Sequence, residues 1–334
     1  MKLLFIGGTG LISEAVSKLA VARGHELYLF NRGQRREMVP EGAHIIEGDI
    51  RDAAGAAEAF RGHAFDAVVD WIAFTPEHVR TDINLFRGIA KQYVFISSAS
   101  AYQKPPQRYI ITESTPLENR YWQYSRDKIA CEELLLDEHA KSGFPVTIVR
   151  PSFTYGDTMI PASQNSWQKP WSLVDRIRRG KPIIVHGDGQ SIWTMTHNTD
   201  FAQGLVGLLG RPEAIGEAYH ITSDEVLTWD QIYLAIGRAA GVEPKLVHIA
   251  SEFICAFNPD DVGNLLGDKA VSGVFDNAKI KALVPDFKAE VPFAEGIKRT
   301  VAWFESRPDR CGVDDAWNDL TDRIIAAHRG AMPS

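Results

Sequence analysis

Tyr124 and Lys128 stand four residues apart in Tyr121-Trp122-Gln123-Tyr124-Ser125-Arg126-Asp127-Lys128. The residues that follow, Ile129 to Leu136, favour helix, so both side chains are expected on one helical face. An ammonium beside a phenol favours the phenolate and draws a tyrosine pKa down from about 10. Tyr124 is therefore a candidate proton donor or acceptor on an alcohol or a ketone. A second set of hydroxyls, Ser97, Ser98, Ser100 and Tyr102, follows the apolar run Tyr93 to Ile96. Small hydroxyls there suit hydrogen bonding to a substrate oxygen, and equally the satisfaction of local backbone. A Tyr-xxx-Lys spacing alone is weak, so its meaning depends on the elements that position it.

The chain start supplies the first of those elements. Leu3 to Ile6 reads as a strand buried on both faces, followed by Gly7-Gly8-Thr9-Gly10-Leu11-Ile12-Ser13 and a helical pattern to about Arg23. Strand, glycine turn and helix are the parts of a dinucleotide-phosphate site: glycine lets backbone approach the ligand, and the helix N-terminus faces the anion. Ser13 stands where a third glycine is usual. The plainer alternative is a tight strand-to-helix turn.

The second strand, Glu26 to Phe30, ends in Asn31-Arg32-Gly33. An acid at this point would hold the ribose 2′-hydroxyl of NAD, whereas an arginine suits the 2′-phosphate of NADP. Arg32, with Arg35 and Arg36 close behind, favours NADP; the alternative is surface arginines with Asn31 serving NAD. A third strand, Ala43 to Glu47, leads to Asp49 and Ile50, where Asp49 either meets an adenine edge or caps the next helix. A fourth, Phe65 to Asp70, ends in Trp71, Ile72 and Ala73. The fifth, Tyr93 to Ile96, delivers Ser97, and the sixth, Val146 to Val149, delivers Pro151 and Phe153. Carboxyl ends of parallel strands line the ligand crevice of such sheets.

This alternation predicts an α/β fold, a Rossmann-type doubly wound parallel sheet over residues 1–156. Residues 157–330 are expected to form a smaller, C-terminal substrate-binding lobe, some of whose elements return to the sheet. Gln103 to Pro116 is expected as a loop over the site. Trp167 and Trp171 suit either a pocket wall or buried core.

The 334 residues, 45% hydrophobic and 24% charged, are ordinary for a water-soluble fold with a sizeable core. A net charge of −7 gives no overall attraction to nucleic acid or to an anionic membrane surface. Cys131, Cys255 and Cys311 make neither a disulfide framework nor a zinc spacing, which points to a reducing cytoplasm. No leader pattern precedes the first strand, and no apolar run is long enough to span a membrane. Neither a Gly-x-Ser-x-Gly elbow nor a metal-ligand cluster is present in the sequence, so no metal is expected.

In this order the motifs resemble the extended short-chain dehydrogenase/reductase superfamily, in its NAD(P)-dependent epimerase/dehydratase branch. The resemblance covers roughly residues 1 to 240. Gly7-Gly8-Thr9-Gly10, Gly48-Asp49-Ile50-Arg51-Asp52, Ser98 with Tyr102, and Tyr124-xxx-Lys128 carry it. So do Arg150-Pro151 with Tyr155-Gly156, and Gly187-Asp188-Gly189 with His197-xx-Asp200. More finely, the chain looks like an atypical subgroup whose members are variously labelled sugar dehydratase, isoflavone-reductase-like or mRNA-binding. The resemblance implies that Ser98, Tyr124 and Lys128 are catalytic, with Lys128 also holding the nicotinamide ribose. It implies hydride transfer between a substrate carbon and nicotinamide, on a sugar or sugar-like small molecule, and a homodimer.

The chain departs from nucleotide-sugar relatives in having Phe153 where Asn is usual and Trp193 where a diphosphate-binding Arg is usual. Losing an amide and a guanidinium removes donors for a pyrophosphate, and aromatics suit stacking on a sugar ring. Ser98, Ser100, Tyr102, Phe153 and Trp193 are accordingly the expected substrate contacts. A Rossmann protein that binds RNA or senses NADP without turnover is the alternative, against which the acidic charge weighs.

Overall fold

The computed structural model describes residues 1–331. Its centre is a seven-stranded sheet made of β1 (Lys2–Ile6), β2 (Glu26–Asn31), β3 (His44–Glu47), β4 (Ala67–Asp70), β5 (Tyr93–Ile96), β6 (Val146–Pro151) and β7 (Ala218–Ile221). Every neighbouring pair is parallel, and the spatial order is β3-β2-β1-β4-β5-β6-β7. The order reverses direction beside β1, which makes the carboxyl end of β1 the switch point where such sheets bind ligands.

Successive residues of β1 serve opposite faces, as strand geometry requires. Leu3 and Phe5 pack with Val16 and Ala20 of α1 (Ser13–Ala22) and with Phe201 and Leu205 of a returning helix, Asn198–Leu208. Leu4 and Ile6 pack on the other side with Val79 and Phe86 of the helix Pro76–Phe86, and with Cys131 and Leu135 of the helix Gln123–Ser142. Covered on both faces, β1, β4 and β5 carry continuous apolar runs rather than an alternating pattern.

The first six strands fall where the sequence pattern puts them, within a residue or two. The sheet then gains β7 at its edge from beyond residue 156, with Ala218 opposite Ile148. The rest of the later chain builds a second core in which Trp171, Trp193, Trp229, Tyr233 and Phe304 are buried together. There the strand Pro182–His186 pairs in parallel with Lys245–Ile249. The helix Trp229–Ala240 opens with a reciprocal capping box between Thr228 and Gln231. One segment of this lobe, Leu265–Lys269, winds as a π-helical turn. Among the described residues no helix is long and apolar enough to cross a membrane, and all three cysteines are free.

Candidate active site

The glycine turn follows β1 directly. Gly7 and Gly8 have φ of +97° and +87°, a region that side chains avoid. A Cβ on Gly8 would come within 2.6 Å of Leu29 Cδ2, and one on Gly7 would lie 3.5 Å from Ile72 in the cleft wall. Ser17 Oγ donates to the Gly8 carbonyl (2.8 Å), and Ser13 Oγ accepts from the Gly10 N–H (2.8 Å), so both serines hold the turn in shape. Ser13 therefore does with a hydrogen bond what a third glycine does by its small size.

A cleft of about 700 Å³ opens above this turn. Gly7, Gly8, Thr9, Gly10, Leu11 and Ile12 form its floor. Asn31, Arg32, Asp49 and Ile50 border one end, and Trp71, Ile72, Ser97, Tyr124, Lys128 and Pro151 the other. Backbone N–H groups at the start of α1, a glycine cradle and a long cleft fit a dinucleotide. Ala73 is buried and joins only through its carbonyl, which accepts from Lys128 Nζ (2.6 Å).

At the β2 end, Asn31 turns inward. Its Nδ2 donates to the Gly7 carbonyl (3.3 Å), and its Oδ1 accepts from Gly33 N–H (2.9 Å). Arg36 is paired with Glu47 (2.7 Å) and does not border the cleft, whereas Arg32 and Arg35 do. Neither of those two has a carboxylate partner within salt-bridge distance among the described residues. Asp49 Oδ1 accepts from the Arg51 N–H (3.0 Å); the cap of the helix Ala53–Ala59 is Asp52 instead.

Tyr124 and Lys128 share a face of the helix Gln123–Ser142, but the lysine does not reach the phenolic oxygen. Lys128 Nζ donates to Ala73 O and to Ile96 O (2.7 Å) and lies 5.8 Å from the centroid of the Tyr124 ring. Burial pushes its own pKa down to about 8. For Tyr124 burial dominates and raises the pKa above the ordinary phenol value; the Ser98 hydroxyl works in the opposite direction, and Asp268 adds to the rise. The expectation of a lysine-depressed phenol is therefore not met. The ammonium is directed to two carbonyls, so the phenol rests protonated.

Beyond Tyr124 a second pocket of about 260 Å³ adjoins the cleft. Ser98, Ser100, Phe153 and Trp167 line it, with Trp122, Asp268 and Lys269. The hydroxyls are chained: Ser98 Oγ lies 2.9 Å from Ser100 Oγ, which accepts from buried Ser125 Oγ (2.7 Å). Phe153 faces this pocket rather than the dinucleotide cleft, its ring 6.3 Å from that of Trp167. Trp171 is core.

Two expected substrate residues lie elsewhere. The Tyr102 hydroxyl is fully buried, 3.0 Å from His220 Nδ1 and accepting from Arg150 Nη1 (3.1 Å). It belongs to a network under the site in which Arg150 holds Glu132 (Nη2 to Oε2, 2.5 Å) and Glu132 also accepts from Ser97 Oγ. Trp193 is likewise buried, its ring 5.7 Å from Trp229. Arginine can reach out of such a position on a flexible stem; the flat indole fills the lobe core instead.

Sequence reasoning missed Asn119, Trp122, Asp268 and Lys269. Asn119 Oδ1 accepts from the N–H groups of Tyr121 and Trp122 (both 3.1 Å), and its Nδ2 donates to Ser100 O (2.8 Å) and Gly267 O (2.6 Å). One buried amide thus ties the start of the tyrosine helix, the serine loop and the π-helical turn together. A Cβ at Gly267 would lie 3.1 Å from Asn119 Oδ1, which is why the turn can come this close. Only an Asn shortly before Tyr-xxx-Lys hinted at this; the partner is 148 residues away.

The fold and this site define a Rossmann-type protein of the epimerase/dehydratase kind. The chain belongs to the NAD dependent epimerase/dehydratase family, whose family model matches residues 3–222. It is similar to the chloroplast stem-loop binding protein of 41 kDa b of Arabidopsis thaliana, at 26% identity over 262 residues, 74% of this chain and 65% of that protein. It is similar also to 2′-dehydrokanamycin reductase of Streptomyces kanamyceticus, at 23% identity over 291 residues, 86% of this chain and 80% of that protein. Among solved structures, the UDP-glucose 4-epimerase of Thermus thermophilus in complex with NAD superposes with a TM-score of 0.72. It is 22% identical and covers 92% of this chain and 100% of its own.

Proposed function

We propose that the protein is an NAD(P)-dependent oxidoreductase, epimerase or dehydratase that acts on a hydroxyl or carbonyl of a sugar-like small molecule. The observation that carries this is the position of Tyr124, which borders both the dinucleotide cleft and the adjoining pocket. When bound, a nicotinamide cofactor supplies or accepts the hydride. The floor residues Gly7 to Ile12 would hold its phosphates, and Lys128, with the strand-end residues, would border its nicotinamide half. Ser98 holds the substrate oxygen, and Tyr124 moves the proton on it.

In the reductive direction the carbonyl carbon gains a hydride, its oxygen takes the Tyr124 proton, and solvent reprotonates the phenolate. A phenol kept protonated by burial suits this direction as the resting state. In the oxidative direction the same proton step runs backwards, with Tyr124 taking the hydroxyl proton. Arg32 and Arg35 at the adenosine end favour NADP over NAD.

Tyr124→Phe tests the assignment. Turnover is expected to fall about a hundred- to ten-thousandfold while the cofactor dissociation constant, from calorimetry, stays within about twofold. A variant that turns over like the parent removes Tyr124 from the chemistry. The similarity to a stem-loop binding protein raises a second reading, RNA binding. The net charge of −7 counts against it, and salt-sensitive RNA retention by the purified protein is its check.

A further inference from the structure

The pocket beside Tyr124 carries charge that a neutral sugar does not use. Asp268 and Lys269 end the π-helical turn Leu265–Lys269, a rare form of helix that is frequent at functional sites. Lys269 is 4% exposed and Lys104 6%. Asp268 stands between them, its Oδ2 3.3 Å from Lys269 Nζ and its Oδ1 3.3 Å from Lys104 Nζ. The faces of two aromatic rings complete the enclosure: Lys269 Nζ lies 4.8 Å from the Phe153 centroid and Lys104 Nζ 5.5 Å from that of Trp193.

An ammonium has three protons to donate. Lys104 Nζ has no hydrogen-bonding protein partner, and Lys269 Nζ has one long bond to Asp268. The remaining nearby acid, Asp261, is a hydrogen-bond acceptor for Asn258 Nδ2 (3.0 Å) and does not line the pocket. Two buried cations share one carboxylate, and Lys269, the one of them that lines the pocket, keeps donors unmet at a cost that an incoming anion would remove. The volume of about 260 Å³ limits the guest to roughly monosaccharide size, below the usual range for larger ligands.

We infer that the substrate is a hydroxylated compound of monosaccharide size bearing a carboxylate or phosphate, which Lys269 binds while Ser98 and Tyr124 hold the reacting oxygen. Lys104 is a positioning residue, fixing Asp268 from behind. The inference rests on the reading of Tyr124 given above and adds the class of substrate to it.

Calorimetric titration of the full chain with NADP present tests it, with glucuronate, gluconate, glucose 6-phosphate, glucose and UDP-glucose as probes. The acids or the phosphate are expected to bind at least about tenfold tighter than glucose, the difference between them naming the anion source. UDP-glucose is expected to bind no better than glucose. Lys269→Met is expected to abolish the preference, Lys269→Arg to restore part of it, and neither to change NADP affinity. Should the methionine variant not fold, the wild-type comparison decides alone. Equal binding of all probes, binding of glucose or UDP-glucose in preference, or no binding at all overturns the inference. Tyr124-dependent turnover of a neutral sugar would overturn it while leaving the proposed function intact; failure to bind any dinucleotide would instead remove the proposed function.

Discussion

Lys128 lies against the ring of Tyr124, not at its hydroxyl: the ammonium is 5.8 Å from the ring centroid and donates to the carbonyls of Ala73 and Ile96. The lysine thereby joins the ends of β4 and β5 to the helix that carries the tyrosine. Its position fixes the geometry of the phenol before it affects the phenol's acidity.

That burial has a measurable consequence for stability. The Lys128 pKa falls from 10.5 unfolded to about 8 folded, so the penalty is complete below pH 8, where both states are charged. It is relieved as pH rises toward 10.5, because only the unfolded chain then keeps the proton. Relative to Lys128→Met, the wild type should gain roughly 3 kcal/mol across that window. Urea unfolding of both proteins at several alkaline pH values checks this; a constant difference would show that the ammonium is not desolvated.

Arg32 and Arg35 border the cleft while Arg36 is neutralised by Glu47. Arg32→Ala and Arg35→Ala should each weaken NADP by roughly tenfold or more and leave NAD within about twofold. Arg36→Ala should affect neither. Calorimetry with the two cofactors separates these outcomes, and equal losses for NAD and NADP would discard a 2′-phosphate contact.

Gly8→Ala combines a disfavoured φ of +87° with a 2.6 Å approach to Leu29 Cδ2. It should destabilise the fold by about 1–3 kcal/mol and displace the phosphate cradle. A lower midpoint of thermal unfolding without cofactor and a much smaller stabilisation by added NADP are the expected readings.

Arg150 and Glu132 form a buried pair beneath the serine loop. Arg150→Met leaves Glu132 charged and unpaired, and should cost about 3–5 kcal/mol in denaturant unfolding. Replacing both partners by apolar residues should recover much of that loss, since the uncompensated charge is then gone.

The sheet was legible because its central strands are short apolar runs and the strands end in residues that recur at crevices: Gly7 after β1, Asn31 closing β2, Ser97 after β5. Periodicity and turn chemistry are local signals, and they placed these ends well. The pocket was only half legible. Ser98 and Tyr124 sit in a local motif, whereas Asp268 and Lys269 come from a helix that no short-range pattern connects to Tyr124. Tyr102 and Trp193 show the converse: a residue type suited to ligand contact was used for a buried hydrogen bond and for core packing. Burial is decided by tertiary contacts, which spacing along the chain does not report.

A widened turn at Leu265–Lys269 amounts to one residue more than regular winding would hold. Each residue of an ordinary helix advances its side chains by about 100° around the axis. Deleting Leu266 would let the coil tighten and swing the two charged residues off the pocket rim, at the cost of a leucine that packs on the small core around Ile254 and Ile324. On the inference drawn from Lys269, the anion preference of this pocket depends on the length of a single helical turn, so an insertion or deletion there is expected to change it without touching Tyr124.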